Sequence, residues 1–362
     1  MLNSYKKSIM QEHTIHLRVK EVITETYDAK TLVLETVDGD PLRYRAGQFL
    51  TLMLDYHGQQ VRRSYSMHTA PGVDLFPAIT VKRMVNGTIS RYWLDTVKAG
   101  DVLTALPPAG RFTLDKTDGA ADRGEPRDIV LIAAGSGITP LFSILKQTLT
   151  DEPNSTVTLL YANRSEREII FYKQLNEWQQ RFPERLRIVH ILSQPSDDWT
   201  GQQGRLNNKW IERFINGALR HAPGRARFFL CGPFELMRTI EITLLFMGFG
   251  KEQIRKENFV IDAPPRPPRE SEAHDIKLQF MGQEHLLHVP AYTTVLQAAL
   301  NAGIPLPYSC KGGRCSVCAG LCRSGSLYMS INDVLTERDL EQGWVLTCTA
   351  YPEDEQLRIE II

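Results

Sequence analysis

Four of the six cysteines follow a spacing that few kinds of site use. Cys310, Cys315 and Cys318 form the pattern C-x4-C-x2-C, and Cys348 follows further along the chain. This spacing is typical of a plant-type [2Fe–2S] cluster, in which four thiolates hold two irons. A zinc site would more often have two separated C-x2-C pairs. The chain is therefore predicted to wrap tightly, so that four sulfurs converge on one inorganic core.

The remaining features of this segment fit the same prediction. Gly312 and Gly313 permit backbone angles that side chains forbid, and they allow amide N–H groups to approach the sulfurs. Cys322 is a spare thiol that we expect on the following strand, as a small buried apolar residue rather than a fifth ligand. The alternative for the whole set is a group of buried cysteines without a metal.

Composition narrows the class of protein. The chain has 362 residues, which suggests two or three domains, and it is 42% hydrophobic and 23% charged, as globular proteins are. Lys and Arg number 42 and Asp and Glu number 42, so the zero net charge argues against nucleic acid or an anionic membrane as a partner. No apolar run reaches the ~20 residues of a membrane helix. No secretory signal is recognised, and we expect a cytoplasmic protein.

The strand and helix patterns change along the chain and predict three domains. Residues 1–118 contain short strands separated by Gly, Asp and Pro turns, with one helix near Thr88, which predicts an antiparallel β-barrel. Residues 119–261 alternate apolar strands with helices, beginning with Asp128–Ala134, which predicts a doubly wound parallel α/β sheet. Residues 262–275 are a Pro-rich linker. Residues 276–362 begin with a hairpin, followed by a helix over 293–302 and a last strand.

The cysteine segment and its surroundings resemble a known family. Residues 307–318 read PYSCKGGRCSVC, and residues 343–348 read GWVLTC. The chain resembles class IB ferredoxin–NADP reductase-like flavoproteins with a C-terminal ferredoxin domain, of the phenylacetate-degradation and 3-ketosteroid-hydroxylase reductase type. The resemblance implies three domains along the chain, in the order flavin-binding barrel, NAD(P)-binding domain and β-grasp [2Fe–2S] domain. It also implies an NAD(P)H oxidoreductase that passes single electrons to an oxygenase or hydroxylase component. The alternative is a non-autonomous electron-transfer subunit of a larger complex.

Two motifs in the barrel are candidates for flavin binding. Arg63, Tyr65 and Ser66 belong to an R-x-Y-S motif. By the resemblance, Arg63 contacts the flavin phosphate, Tyr65 packs on the isoalloxazine and Ser66 hydrogen-bonds near N5. Arginine also offers a planar donor fork to phosphate. Gly87, Thr88 and Ser90 begin a helix whose N-terminus attracts pyrophosphate. The alternatives are exposed strand residues for the first motif and a simple helix cap for the second. FAD is favoured over FMN by family type.

The α/β domain carries the candidate nicotinamide site. The residues predicted to bind the dinucleotide by their position at strand ends are Gly135, Gly137, Thr139, Pro140, Cys231, Gly232 and Pro233. By the resemblance, Cys231 lies beside the nicotinamide, so Ser66 and Cys231 are the candidate catalytic residues. Arg164 and Arg167, with Ser165, follow the second strand and favour NADPH over NADH, unless they are solvated loop charges. Glu257 lies in an E-x-F element to which no role is assigned.

The ferredoxin segment is acidic. Residues 276–362 carry six basic and nine acidic residues, a net charge of −3, and the rest of the chain is then +3. We expect an acceptor protein that meets this segment with basic residues, and an association that slows at high salt.

Overall fold

A computed structural model describes residues 13–114, 125–259, 267–268 and 270–361. The chain divides into two compact units near residue 260, one beginning at Ile15 and the other extending to the C-terminus. The predicted Pro-rich linker, 262–275, lies partly outside the described residues. The predicted domain boundary at 118 lies wholly outside them.

The first unit begins with an antiparallel sheet. Its elements are β1 (Ile15–Thr26), β2 (Ala29–Thr36), β3 (Phe49–Tyr56), β4 (Gln59–Ser66), β5 (Ala78–Lys82), α1 (Thr88–Thr96) and β6 (Val102–Ala109). The strand order is β4-β3-β6-β1-β2-β5, and every neighbouring pair is antiparallel. An isolated bridge from Met67 to Ile79 links the two edges, so the sheet curls into a barrel. β1 has 12 residues and continues past a register shift between Val19 and Glu21.

A parallel sheet follows in the same unit. Its elements are β7 (Asp128–Ala134), α2 (Ile138–Asp151), β8 (Thr156–Asn163), α3 (Tyr172–Arg181), β9 (Leu186–Leu192), β10 (Gln202–Gln203), α4 (Asn208–Asn216), β11 (Ala226–Cys231), α5 (Phe234–Phe246) and β12 (Ile254–Glu257). The order is β10-β9-β8-β7-β11-β12. The chain leaves β7 toward β8 and later returns to its other side with β11, which confirms the doubly wound fold. Ligands of such sheets bind at the carboxyl ends of the strands where the order reverses.

A left-handed residue precedes α3. Phe171 adopts a left-handed backbone conformation, with φ of 62°, directly before α3. Its ring is buried and packs 5.1 Å from the ring of Phe142 in α2. A helix cannot continue through a left-handed residue, so this core contact sets the start of α3 at Tyr172.

Polar contacts join the barrel to α2 and thereby position the parallel sheet. Lys146 in α2 is 4% exposed, and its Nζ pairs with Asp74 Oδ1 at 2.9 Å. The Ser143 hydroxyl donates to the Thr69 carbonyl and accepts from the Gly47 amide. These bonds fix the helix that follows the Gly135–Gly137 turn relative to the barrel.

The second unit has a mixed sheet covered by a helix. Its elements are β13 (His274–Phe280), β14 (Gln283–Val289), α6 (Val295–Asn301), β15 (Ala319–Ser324), β16 (Leu327–Met329), α7 (Glu337–Glu341), β17 (Trp344–Leu346), β18 (Ala350–Pro352) and β19 (Arg358–Ile361). The order is β14-β13-β19-β15-β17, with β13 and β19 parallel, and β16 pairs with β18. This is the expected β-grasp arrangement. α6 is shorter than the predicted helix 293–302 because Thr294 is its N-cap and accepts from the Gln297 amide.

The helices were also compared with the length and apolar character that a membrane crossing requires. Within the described ranges, no helix meets both requirements.

Candidate functional site

A cavity of about 1160 Å³ lies between the barrel and the carboxyl edge of the parallel sheet. Both sheets and the start of α1 contribute to its wall. Most of the predicted cofactor-binding residues line it, namely Arg63, Tyr65, Ser66, Gly87, Thr88, Ser90, Gly135, Gly137, Thr139, Arg164, Gly232 and Pro233. A smaller cavity of about 620 Å³ adjoins the amino ends of β7, β8 and β11 and contains none of the predicted residues.

Three predicted residues do not line the large cavity. Pro140 is buried in the first turn of α2. Arg167 is exposed on a 3₁₀ turn, Glu166–Glu168, and lies outside the cavity wall. Cys231 ends β11 and is 1% exposed, so the thiol lies beneath the wall rather than in it.

The start of α1 has the properties of an anion site. Gly87 is its N-cap, and no side chain caps the helix, so amides of the first turn remain available to a phosphate. A Cβ on Gly87 would lie 2.6 Å from Met84 Cβ, so position 87 has no room for a residue with a side chain. The Ser90 hydroxyl instead closes the turn, since it donates to the Gly87 carbonyl at 3.1 Å and accepts from the Met84 amide at 3.0 Å.

The R-x-Y-S motif lies on β4 at the opposite wall. Burial raises the pKa of the Tyr65 hydroxyl, and the nearby Arg63 guanidinium opposes that rise. Arg63 itself is exposed, and one of its nitrogens donates to the Arg62 carbonyl at 2.8 Å. An aromatic ring beside an exposed guanidinium suits a flat, phosphorylated ligand such as a flavin.

The turn after β7 requires glycine for two reasons. Gly135 has φ of +54°, a conformation that disfavours a side chain. A Cβ on Gly137 would lie 2.1 Å from the Cys231 carbonyl oxygen, so β11 leaves no room for one. The buried Tyr161 hydroxyl donates to the Gly135 carbonyl at 3.0 Å and thus fixes the turn. No side chain caps α2, so this N-terminus also fits a dinucleotide phosphate.

A buried carboxyl group lies next to both candidate catalytic residues. The Ser66 hydroxyl donates to Glu257 Oε2 at 2.9 Å. Glu257 and Cys231 are register partners in β12 and β11. Burial raises the pKa of Glu257 to about 8, and burial together with that carboxyl raises the pKa of the Cys231 thiol well above its usual value. Sequence reasoning assigned no role to Glu257, although the E-x-F element was the available signal.

The far end of the cavity, at β8 and β9, carries polar and charged side chains, and its acidic residue, Glu168, pairs with Lys82 at 3.5 Å. Both polar atoms of the Asn163 amide are buried and make no well-formed hydrogen bond within the described residues. Arg164 Nε donates to Gln194 Oε1 at 2.7 Å. Arg205 also lines the cavity, is exposed, and has no hydrogen bond or ion pair within the described residues. Sequence reasoning missed Arg205, because the pairing of β10 with β9 brings it to this edge.

Four of the five cysteines of the second unit converge. Cys310 lies within hydrogen-bonding range of Cys315 and Cys348, and Cys318 lies within range of Cys348. Within the described residues, no three His, Cys, Asp or Glu side chains form a site for a single metal ion. These contacts link all four thiols into one group, and four cysteine thiolates are the donor set of a [2Fe–2S] cluster.

The loop around the thiols also fits a cluster. The Gly312 amide donates to Cys310 Sγ at 3.4 Å. The Ser316 hydroxyl is buried without a partner within the described residues, so it is available to a sulfur ligand. Gly313 has φ of +73°, as expected, but Gly312 does not have a positive φ; Lys311 has one instead, at 50°. The backbone reversal is therefore shared with a residue that is not glycine.

Cys322 is separate from the four. It lies on β15, as predicted, but it is half-buried rather than buried. Its Sγ donates to the carbonyls of Ser324 and Gly325 at 3.4 and 3.7 Å.

Comparisons with known proteins match all three parts of the chain. The models of an oxidoreductase FAD-binding domain, an oxidoreductase NAD-binding domain and a 2Fe-2S iron-sulfur cluster binding domain match residues 15–114, 131–241 and 279–353. FAD, a nicotinamide dinucleotide and a [2Fe–2S] cluster are thus the cofactors of this chain.

Two similar relatives extend along nearly the whole chain. The 3-ketosteroid-9-alpha-monooxygenase ferredoxin reductase component of Rhodococcus rhodochrous is 34% identical over 96% of this chain and 97% of its own. A subunit of the 1,2-phenylacetyl-CoA epoxidase of Escherichia coli is 32% identical over 94% of this chain and 95% of its own.

A solved structure has the same fold. Phthalate dioxygenase reductase matches with a TM-score of 0.58 and 23% identity over 96% of this chain and 98% of that one. The three domain models and the full-length relatives agree with the cavity and the thiol loop. The chain belongs to the family of FAD- and NAD(P)H-dependent ferredoxin reductases that carry their own [2Fe–2S] domain.

Proposed function

We propose that this protein oxidises NADPH and delivers the electrons one at a time to an oxygenase or hydroxylase component. The observation that carries the proposal is the coexistence of a two-sheet dinucleotide cavity and a four-thiol loop on one chain. A bound flavin accepts a hydride and can release its electrons singly, whereas a [2Fe–2S] cluster accepts one electron at a time. The chain would therefore convert a two-electron donor into a one-electron donor.

The chain's own residues would orient the reactants. Arg63 and the free amides at the start of α1 would hold the flavin phosphates, and Tyr65 would pack on its ring. The Gly135–Gly137 turn and the N-terminus of α2 would hold the dinucleotide phosphates. The Ser66 hydroxyl, held by its hydrogen bond to Glu257, would lie at the ring edge, while buried Cys231 would shape the pocket beneath the nicotinamide. Cys310, Cys315, Cys318 and Cys348 would ligate the two irons.

Support for NADPH over NADH comes from the far end of the cavity. NAD-specific sheets commonly have an acidic residue at the end of the second strand, where it binds the ribose hydroxyl. This chain has the neutral Asn163 there, with Arg164 and Arg205 beside it. We therefore assign 2′-phosphate binding to Arg205 and Arg164. Arg167, which also favoured NADPH at the sequence level, lies outside the cavity wall.

Stopped-flow absorbance with NADH and NADPH tests the activity and the preference together. We expect the flavin absorbance to bleach first and the cluster absorbance to bleach second. Both steps should be faster with NADPH than with NADH. A charge-assisted hydrogen bond is worth about 1.5–3 kcal/mol, so Arg205→Ala should lower kcat/KM for NADPH roughly 10- to 100-fold and leave NADH unchanged. Arg167→Ala is the matched control and should change neither. An equal loss with both dinucleotides would refute the assignment, and no bleaching with either would refute the reductase.

The proposed acceptor follows from the relatives. The Rhodococcus relative is named as the reductase component of a monooxygenase, and another relative as the reductase of a glycine betaine monooxygenase. The net charge of −3 on residues 276–362 supports an acceptor with a basic docking face. Electron transfer to that acceptor should slow as salt increases, and rates independent of salt would contradict the charge argument.

A second candidate is a non-autonomous electron-transfer subunit of a larger complex. The observation that favours it is the Escherichia coli relative, which is named as one subunit of an epoxidase. Co-purification of a large subunit, without reduction of artificial acceptors by the isolated chain, would support this alternative.

We also propose a cytoplasmic location, because all six cysteines are free thiols and five lie close together in the sequence.

A further inference from the structure

Lys311 has an unusual backbone in the thiol loop. It lies between Cys310 and Gly312 and has φ of 50°. Residues other than Gly, Asn and Asp rarely adopt this left-handed conformation, and such outliers cluster at functional sites. Two glycines follow directly in the sequence, yet a lysine takes this left-handed position.

The side chain of Lys311 has a defined neighbour. Its Nζ lies 4.4 Å from the centroid of the Tyr308 ring. Tyr308 packs against the core of this unit and is therefore a fixed platform. A cation over an aromatic face is held electrostatically without being neutralised. The ammonium is thus kept close to the loop while its full charge remains.

The second cation of the loop, Arg314, is neutralised by a carboxylate. Arg314 is 8% exposed, and its Nε donates to Asp333 Oδ2 at 2.9 Å. That carboxylate compensates the guanidinium. Within the described residues, no carboxylate lies within ion-pair range of Lys311 Nζ. On the segment that joins Cys310 to Cys315, all of which the structure describes, Lys311 is therefore the one uncompensated charge.

We propose that Lys311, held by Tyr308, raises the reduction potential of the bound cluster and so draws electrons out of the flavin. Reduction adds one electron to the two irons, taking one from Fe(III) to Fe(II), and the cluster gains one negative charge. A fixed positive charge nearby stabilises that product more than the oxidised form. The inference rests on the proposed function, because it concerns the direction of electron flow inside that reductase.

The test is a dithionite titration of the flavin- and cluster-loaded protein with redox mediators, followed by absorbance and electron paramagnetic resonance. Lys311→Gln should lower the equilibrium constant for cluster reduction about threefold, or roughly 28 mV at 59 mV per tenfold change. Lys311→Arg keeps the charge and should change the reduction potential little. Tyr308→Leu releases the ammonium and should give an intermediate shift. Lys277→Gln is the control, because Lys277 lies on β13 and pairs with Glu284, and it should not change the potential.

The outcomes separate the two hypotheses. The titration needs neither NADPH nor an acceptor, so a protein that binds no cluster would refute the proposed function itself. A normal cluster spectrum with an unchanged potential in Lys311→Gln would overturn only the inference. So would equal shifts in Lys311→Gln and Lys277→Gln, because the effect would then be one of net charge and not of the loop.

Discussion

Glu257 offers a sharp test of the buried site, because its replacement should remove a pH dependence of the free energy of unfolding. Its carboxyl group is 8% exposed, and burial raises its pKa from 4.5 to about 8. The folded protein therefore keeps this proton between pH 4.5 and 8, where the unfolded chain releases it. Since the unfolded state binds fewer protons, the free energy of unfolding falls as pH rises through this window.

The size of the effect follows from the pKa difference. Each pH unit in the window is worth about 1.4 kcal/mol, so the carboxyl group costs the folded state up to about 3 kcal/mol at pH 7 and about 5 kcal/mol at pH 8. Glu257→Gln cannot ionise and should lack this dependence. Its amide leaves an N–H group to satisfy, which costs about 1–3 kcal/mol at every pH. The variant should therefore be less stable than wild type near pH 5 and equal or more stable above pH 7.

Urea unfolding at pH 5, 7 and 8.5, followed by circular dichroism, measures the difference. Ser66→Ala is the control, since it keeps the carboxyl group and should keep the pH dependence of stability. Parallel stability–pH curves for wild type and Glu257→Gln would refute the reasoning.

Three further predictions concern other parts of the molecule. Gly137→Ala should abolish dinucleotide binding in equilibrium dialysis, because its Cβ would lie 2.1 Å from the Cys231 carbonyl oxygen; normal affinity would contradict the close packing. Lys146→Met leaves the partly exposed Asp74 without its cation, so thermal unfolding should show a loss of about 2 kcal/mol, between the values for exposed and buried pairs, whereas an unchanged melting temperature would show that the pair contributes nothing. Cys322→Ser should keep the full iron content and cluster spectrum, and loss of iron would make Cys322 a ligand.

The sequence was sufficient where the chemistry is local. The spacing from Cys310 to Cys318 predicted the thiol loop, since a few residues set how closely the sulfurs can approach. The glycines after β7 predicted a tight turn between a strand and a helix, since that turn connects the strand directly to the next helix. The alternation of strands and helices predicted the parallel sheet, because one chain segment determines each element.

Only the tertiary structure decided which distant residues share the cavity. Ser66 and Glu257 are 191 positions apart and meet because β12 pairs with β11 opposite the barrel. Arg205 reaches the cavity while Arg167 does not, because the Gly204 amide donates to the Leu192 carbonyl and ties that segment to the end of β9. Strand pairing and side-chain burial depend on the whole fold, so no local pattern could have distinguished these residues.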